Sequence, residues 1–332
     1  MSTLKTPLGW LADRYTLSPR SLRWATTASL VVSILIVLGG GIVRVTGSGL
    51  GCPTWPTCNA TSVTPTPAMG IHAVIEFSNR MITVLLCFAV AWTIIAARLQ
   101  KPRVRSITRL AWSQFWLVVV NAVAGGISVW TGLNPYVVAF HFVMAMGLLT
   151  TTTLTWHRVH ERAVAADARA RLTSPARILS WLLAGLTAVL IVVGTLVSGS
   201  GPHSGDPNAL NRMQFDWIDI TVVHGVLGTL TLVVAIALAV VLWRSRATVP
   251  LLRVATFLAV VVVQAAIGLV QALTALPELL VAVHVVFAAL VWVGALRVVL
   301  DVNPGLFPSV HAAAEESEPT PSRTEQLAGR AG

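Results

Sequence analysis

The stretch IHAVIEFSNR (71–80) sets His72, Glu76, Asn79 and Arg80 at positions i, i+4, i+7 and i+8. On a helix these fall on one face, so an imidazole, a carboxylate, an amide and a guanidinium form a single polar stripe. Such a set can ligate a metal through the imidazole, hold a proton at the carboxylate and hold an anion with the guanidinium. The stripe opens an otherwise apolar run that continues to Ala97. A charge at the centre of a bilayer costs about 2.5–3.5 kcal/mol on insertion scales. The stripe is therefore expected to face protein and to serve a function. Three more histidines, His141, His224 and His284, lie in similar apolar surroundings.

The runs that carry these residues set the fold class. The 332-residue chain is 55% hydrophobic and 11% charged. Eight apolar runs are long enough to span a membrane, at roughly 25–45, 71–97, 109–130, 136–156, 178–199, 220–243, 252–274 and 278–300. An all-α integral membrane protein is expected. The net charge of +10 would suit a polyanion, but its distribution is topological. Lys5, Arg14, Arg20 and Arg23 precede the first run, and arginines cluster after the second, fourth, sixth and eighth. The opposite loops hold only Arg44 and Arg212, with Arg80 inside the second run. This is the positive-inside pattern of a multi-pass protein of the cell membrane with both termini cytoplasmic, and it argues against nucleic acid as a partner. The first 24 residues are too polar for a signal-peptide core and no cleavage-like site follows the first run, so that run is read as retained. The tail beyond about residue 303, rich in Glu, Pro, Ser, Thr and Ala, reads as disordered, and His311 within it is given no role.

The chain also repeats itself. VTGSGLG (45–51) aligns with VSGSGPH (197–203) at an offset of 152, which carries IHAV (71–74) onto VHGV (223–226) and His72 onto His224. At an offset of 143, residues 121–141 lie over 264–284, pairing Gly125 with Gly268, Thr131 with Thr274, Leu133 with Leu276 and His141 with His284. Two duplicated four-helix bundles in parallel topology are the natural reading. Each bundle offers two imidazoles at similar depth near the outer face, on its second and fourth helices. If those helices face each other, each pair can hold one haem iron from both sides. Gly125, Gly126, Gly147, Gly225, Gly228 and Gly268 would give a flat macrocycle room. The competing readings are a metal or proton pathway and plain interhelical hydrogen bonds. Zinc fits less well, because no acidic or thiol ligand repeats beside His224 and His284. His157 and His160, among cytoplasmic arginines, are expected to be solvated, and His203 to line a mouth or meet a haem propionate.

Cys52 and Cys58 flank CPTWPTC in the first outer loop. The topology places them in an oxidising compartment, where a disulfide is expected, either as a structural clamp or for redox exchange. Trp55 and Pro56 between them suggest a folded lid over the first histidine pair. Cys87, in mid-helix, is read as a small buried hydrophobe.

The duplicated layout, the loop GGGIVRVTGSGLGCPTWPTC, the stretch EFSNR, and the segments GGISVWTGLNP and GTLVSGSGPHSGD resemble the haem A synthases. So do the contexts of His141, His224 and His284. Among subtypes the chain is most similar to the actinobacterial ones, with paired cysteines in the first outer loop. The resemblance runs in order over about residues 25–300. It implies that haem O is the substrate, oxidised at a ring methyl through an alcohol stage to the formyl group of haem A for terminal oxidases. It implies that the N-terminal half holds the substrate and the C-terminal half a haem b cofactor ligated by His224 and His284. It makes His141 one substrate-side ligand and Glu76 the essential carboxylate of a Glu-x-x-His-Arg motif. A haem O-producing farnesyltransferase and oxidase assembly factors are the implied partners. The motif's histidine position is Asn79 here. His72, seven residues earlier, lies on the same face and pairs with His224 in the repeat. It is the expected substitute ligand, about 10 Å along the helix; the other reading leaves the substrate iron without a ligand from this helix.

These readings divide the chain into a cytoplasmic segment (1–24), a substrate-haem bundle (25–156) with its cysteine-bearing loop (46–70), a linker (157–177), a haem b bundle (178–302) and a tail (303–332). Glu76 is expected to take protons or position water near the reacting methyl. Arg80 would hold Glu76 or a propionate, and a purely structural ion pair is the alternative. Two other function classes compete. A di-haem b electron carrier gives no reason for an acid on one half only, and a proton-coupled transporter needs no haem.

Overall fold

The computed structural model describes residues 6–160, 171–203 and 212–305. The described residues form nine α-helices. A short helix α1 (Pro7–Arg14) precedes eight long ones: α2 (Pro19–Val45), α3 (Gly70–Arg98), α4 (Arg105–Trp130), α5 (Pro135–His160), α6 (Ser174–Ser200), α7 (Trp217–Arg244), α8 (Thr248–Leu273) and α9 (Glu278–Val302). All eight are long and apolar enough to cross a membrane. At 1.5 Å per residue they measure roughly 37–44 Å, against a hydrocarbon core of about 30 Å. Every expected span has its helix. The first begins earlier than the apolar run, because Ser18 caps it by accepting from the Ser21 N–H and Pro19 supplies its first residue. Asp216 caps α7 in the same way, accepting from the Ile218 and Asp219 N–H groups at 2.9 Å. The expected disordered tail, including His311, lies outside the described residues from 306 on, as do positions 161–170 of the linker.

The helices close into two rings. In the first, α2 and α4 each pack against α3 and α5; in the second, α6 and α8 each pack against α7 and α9. The rings meet where α9 lies against α2 and α5, and α5 against α6. Exchanging the halves maps these contacts onto one another, which is consistent with the duplication. The turns repeat as well. Leu133 and Leu276, related by the 143 offset, both adopt positive φ, 58° and 59°. Their N–H groups reach back to the matched carbonyls of Ser128 (2.8 Å) and Gln271 (2.9 Å). A left-handed conformation costs a non-glycine residue about 1–2 kcal/mol, and both helices end on it.

The packed core fills one end of each ring. In the first it runs through Leu22, Ala25 and Val32 of α2, Leu86 to Ala97 of α3, Ile107 to Val118 of α4, and Leu148 and Val159 of α5. In the second it runs through Ala176 and Leu183 of α6, Ala235 to Leu242 of α7, Val254 to Val261 of α8, and Val291 to Val302 of α9. Both cores lie toward the arginine-rich ends. A third cluster, around Leu30, Val37, Met146, Leu149 and Ala289, joins the halves, and the Trp292 Nε1–H bonds Thr150 Oγ1 across it at 2.9 Å. The opposite ends, where the four histidines lie, are packed differently.

Two expectations from sequence fail at the arginine-rich end and in the lipid face. His157 and His160 are not solvated loop residues, because α5 extends through them. His157 is buried with its Nε2 3.8 Å from Asp301, and His160 stacks on Trp156 with ring centroids 4.6 Å apart. Cys87 is exposed rather than buried. Its neighbours Val84, Leu85 and Phe88 are exposed too, so the thiol sits on an apolar outer face turned toward lipid.

Candidate functional site

At the end opposite the arginine-rich one, three histidines share one local arrangement. The ring of each lies against a glycine on the preceding helix. A methyl group added at Gly125 would lie 3.4 Å from the His141 ring, one at Gly194 3.1 Å from His224, and one at Gly268 3.1 Å from His284. A larger residue would fill the space the imidazole occupies. All three rings bury Nδ1 without a well-formed hydrogen bond, and so do the matched amide oxygens of Asn121 and Gln264. The backbone carbonyls of Asn121 and Leu190, each four residues before the facing glycine, are the nearest acceptors for His141 and His224. Such carbonyls commonly receive the outer N–H of a metal-bound imidazole and fix its tautomer.

In the second ring, His224 and His284 confront each other with ring centroids 6.4 Å apart. That is the span of two imidazoles flanking one metal ion at a nitrogen distance of about 2 Å each. Among the described residues no three His, Cys, Asp or Glu side chains converge as a bare-metal site. Two imidazoles suffice for an iron whose other four ligands come from a porphyrin. A bundle end lined by orphaned polar atoms and glycine notches, with the apolar core stopping short of it, fits a haem.

The first ring adds a carboxylate and a lid. Glu76 is buried, with 7% of its surface exposed. Its Oε1 accepts from Arg80 Nη2 at 2.5 Å and its Oε2 from the Cys52 N–H at 2.7 Å. Arg80 also donates to the Thr54 and Thr57 carbonyls of the loop, at 3.1 and 2.9 Å. Arg80 therefore holds both Glu76 and the lid. The Cys52–Cys58 disulfide is formed and buried against Ala73 on the first turn of α3. Trp55 drops into the notch at Gly126, next to the glycine that faces His141, and meets Trp130 edge-on with centroids 5.5 Å apart. At the position of Glu76, the 152 offset gives Gly228 in the second ring, with open space beside it.

The remaining sequence candidates fall as follows. His72 is exposed at the start of α3, and its Nδ1 lies 3.0 Å from Ser48 Oγ. Asn79 is turned toward α2, its side-chain oxygen buried against Gly39 and without a partner. His203 Nε2 bonds the Leu276 carbonyl at 2.9 Å, tying the loop after α6 to the α8–α9 turn. Among the glycines expected to make room, Gly126 is filled by Trp55, Gly147 meets Leu117, and Gly225 and Gly228 have open space beside them. Sequence reasoning missed Gly39 and Gly194, whose partners lie on another helix. Their only signal was glycine inside an apolar span.

The chain is similar to known proteins over most of its length. It is 27% identical over 236 residues to a heme A synthase of Staphylococcus epidermidis, covering 62% of this chain and 76% of the relative. It is 24% identical over 290 residues to the heme A synthase of Staphylococcus saprophyticus, covering 83% and 93%. A protein of the same name from Staphylococcus aureus is 25% identical over 213 residues, covering 61% and 69%. The COX15-CtaA family model, described as cytochrome oxidase assembly protein, matches residues 23–296. With that span, the chain belongs to the COX15-CtaA family of cytochrome oxidase assembly proteins.

Proposed function

We propose that this protein is a haem A synthase, an integral-membrane oxidoreductase that converts haem O to haem A. The observation that carries the reading is the unequal pair of bundle ends. One has two facing imidazoles with, among the described residues, no buried acid beside them; the other has an imidazole seat beside a buried carboxylate clasped under a disulfide-closed lid. His224 and His284 hold haem b, and the N-terminal half receives haem O beside His141. The arginine-rich ends face the cytoplasm, so both sites lie toward the outer side of the cell membrane. Partners are expected to include the enzyme that supplies haem O and oxidase assembly factors.

Bound haem supplies the electron transfer that methyl oxidation requires. The chain's own residues bind, orient and manage protons. Arg80 and the Cys52 N–H fix the Glu76 carboxylate by two charge-assisted hydrogen bonds. A carboxylate so fixed can take the proton released as the methyl is oxidised, or hold the water that enters the product. Trp55 and the closed loop restrict bulk water on the outer side.

The test is to supply purified protein with haem O under air, oxygen serving as the terminal electron acceptor, then extract and separate the pigments. Alcohol and formyl products are expected. Unchanged haem O from protein that binds haem would leave a di-haem carrier, and no bound haem would leave neither.

A further inference from the structure

Three of the four elements that line the two haem ends obey one rule. A side chain on the later helix of a pair leans on a glycine of the helix before it: His141 on Gly125, His224 on Gly194, His284 on Gly268. Each such ring also buries an Nδ1 that lacks a well-formed hydrogen bond. The fourth pair is α2 and α3. Applying the same two marks there selects one residue. The side-chain oxygen of Asn79 lies where a methyl at Gly39 would collide with it, and this oxygen is buried without a partner.

His72 carries neither mark. It is exposed, its Nδ1 is engaged by Ser48, and Ser48 is itself bonded to Thr46 at 2.7 Å. Under the offset of 152 that pairs His72 with His224, Gly194 falls on Ile42, whose branched side chain leaves no notch. What meets Gly51 near His72 is the backbone of His72 and Ala73, not the ring.

We infer that Asn79, not His72, occupies the fourth seat. The N-terminal half therefore holds its haem iron through the single imidazole of His141 and leaves the α3 side open to a small exogenous ligand. The inference rests on the proposed function and deepens it. A carboxamide is a poor ligand for haem iron beside an imidazole, whereas two imidazoles close both axial positions. The C-terminal pair is then built for electron transfer. The N-terminal seat leaves a vacancy on the side of the macrocycle that faces the helix bearing Glu76.

The experiment loads purified, full-length ferric protein with haem O and reads its spin states by electron paramagnetic resonance and near-infrared magnetic circular dichroism. One low-spin bis-imidazole species and one high-spin species are expected in equal amounts, with cyanide converting only the second. His72→Ala should leave both signals unchanged. Asn79→His should turn the high-spin signal into a second low-spin bis-imidazole one. Two low-spin bis-imidazole species in the unaltered protein, one of them lost in His72→Ala, would overturn the inference. So would an Asn79→His protein that keeps the high-spin signal alongside an intact low-spin one. Product analysis tests the function separately: the expected spin pattern without any alcohol or formyl product defeats haem A synthesis and leaves the ligation standing. A protein that binds no haem defeats both.

Discussion

The two halves share a frame and differ in what they add to it. Both are closed rings with the apolar core at the arginine-rich end and polar, glycine-notched surfaces at the other. Among the described residues the C-terminal half places no buried carboxylate beside its imidazoles, and Gly228 stands where the repeat puts Glu76. The N-terminal half adds Glu76, Arg80 and a loop stitched to α3 by backbone hydrogen bonds and a disulfide. In the proposed function, a pair of opposed imidazoles would hold a cofactor symmetrically and pass electrons, and a lone buried acid under a lid would break that symmetry where a substrate reacts. On the proposed reading, one repeated frame serves as two cradles, of which the one with Glu76 is the reactive one.

The strongest way to break this division is Glu76→Gln. It keeps the shape, but its single oxygen can accept from only one of Arg80 and the Cys52 N–H, and it cannot hold a proton as a carboxylate does. Removal of a general acid or base commonly lowers rates about 10²–10⁴-fold, and conversion of haem O should fall within that range. The haem held by His224 and His284 should remain, with its spectrum unchanged. Full turnover in this variant would reduce the clasp to a structural ion pair.

The converse loss comes next. His224→Ala or His284→Ala should abolish the low-spin haem b signal and slow conversion by removing the electron path, while haem O still binds near His141. His160→Ala, far from both haem ends, should keep both haems. Equal pigment loss from all three variants would mean that folding, not ligation, is at stake.

How much of this was legible beforehand depends on distance along the chain. Helix spans follow from local hydropathy, so all eight were readable, and so was the pairing of His141 with His284, which a 143 offset carries through helix and turn alike. The clasp was half legible. Glu76 and Arg80 are i and i+4 on one helix, but the Cys52 N–H and the Thr54 and Thr57 carbonyls enter from a loop whose fold no periodicity encodes. The burial of His157 was missed because nothing local announces that Asp301, on a different helix, comes to meet it. The glycine seats were hidden for the same reason. A notch has meaning only once the rotation and register of two helices are known, and the loop-based offset of 152 fixes neither.

A smaller effect is expected from the disulfide. The loop from Cys52 to Cys58 is short, so its closure accounts for about 2 kcal/mol of loop entropy. Arg80 still grips Thr54 and Thr57 without it. A Cys52→Ser, Cys58→Ser double variant should therefore insert, retain haem b and lose only part of its conversion rate. In native membranes both thiols should resist alkylation until reduced. Free labelling without reductant would remove the clamp from the resting protein. Complete loss of conversion would make the disulfide as important to Glu76 as Arg80 is.

The finest contrast lies in the seats themselves. A methyl group at Gly268 or Gly194 would stand 3.1 Å from an imidazole, close enough that the ring must shift by a few tenths of an ångström, whereas at Gly125 it would stand 3.4 Å away, in ordinary contact. Opposed rings that share one iron, as proposed for His224 and His284, could not shift independently, so the strain in the C-terminal half would have no free direction in which to relax. A haem held on one side only can follow its ligand. Gly268→Ala and Gly194→Ala should therefore move the haem b spectrum and its reduction potential without loss of haem, and Gly125→Ala should leave both haems and the conversion rate close to unaltered. If Gly125→Ala perturbs the N-terminal haem as strongly as Gly268→Ala perturbs haem b, the two cradles are equally rigid. The N-terminal iron would then be gripped from both sides after all.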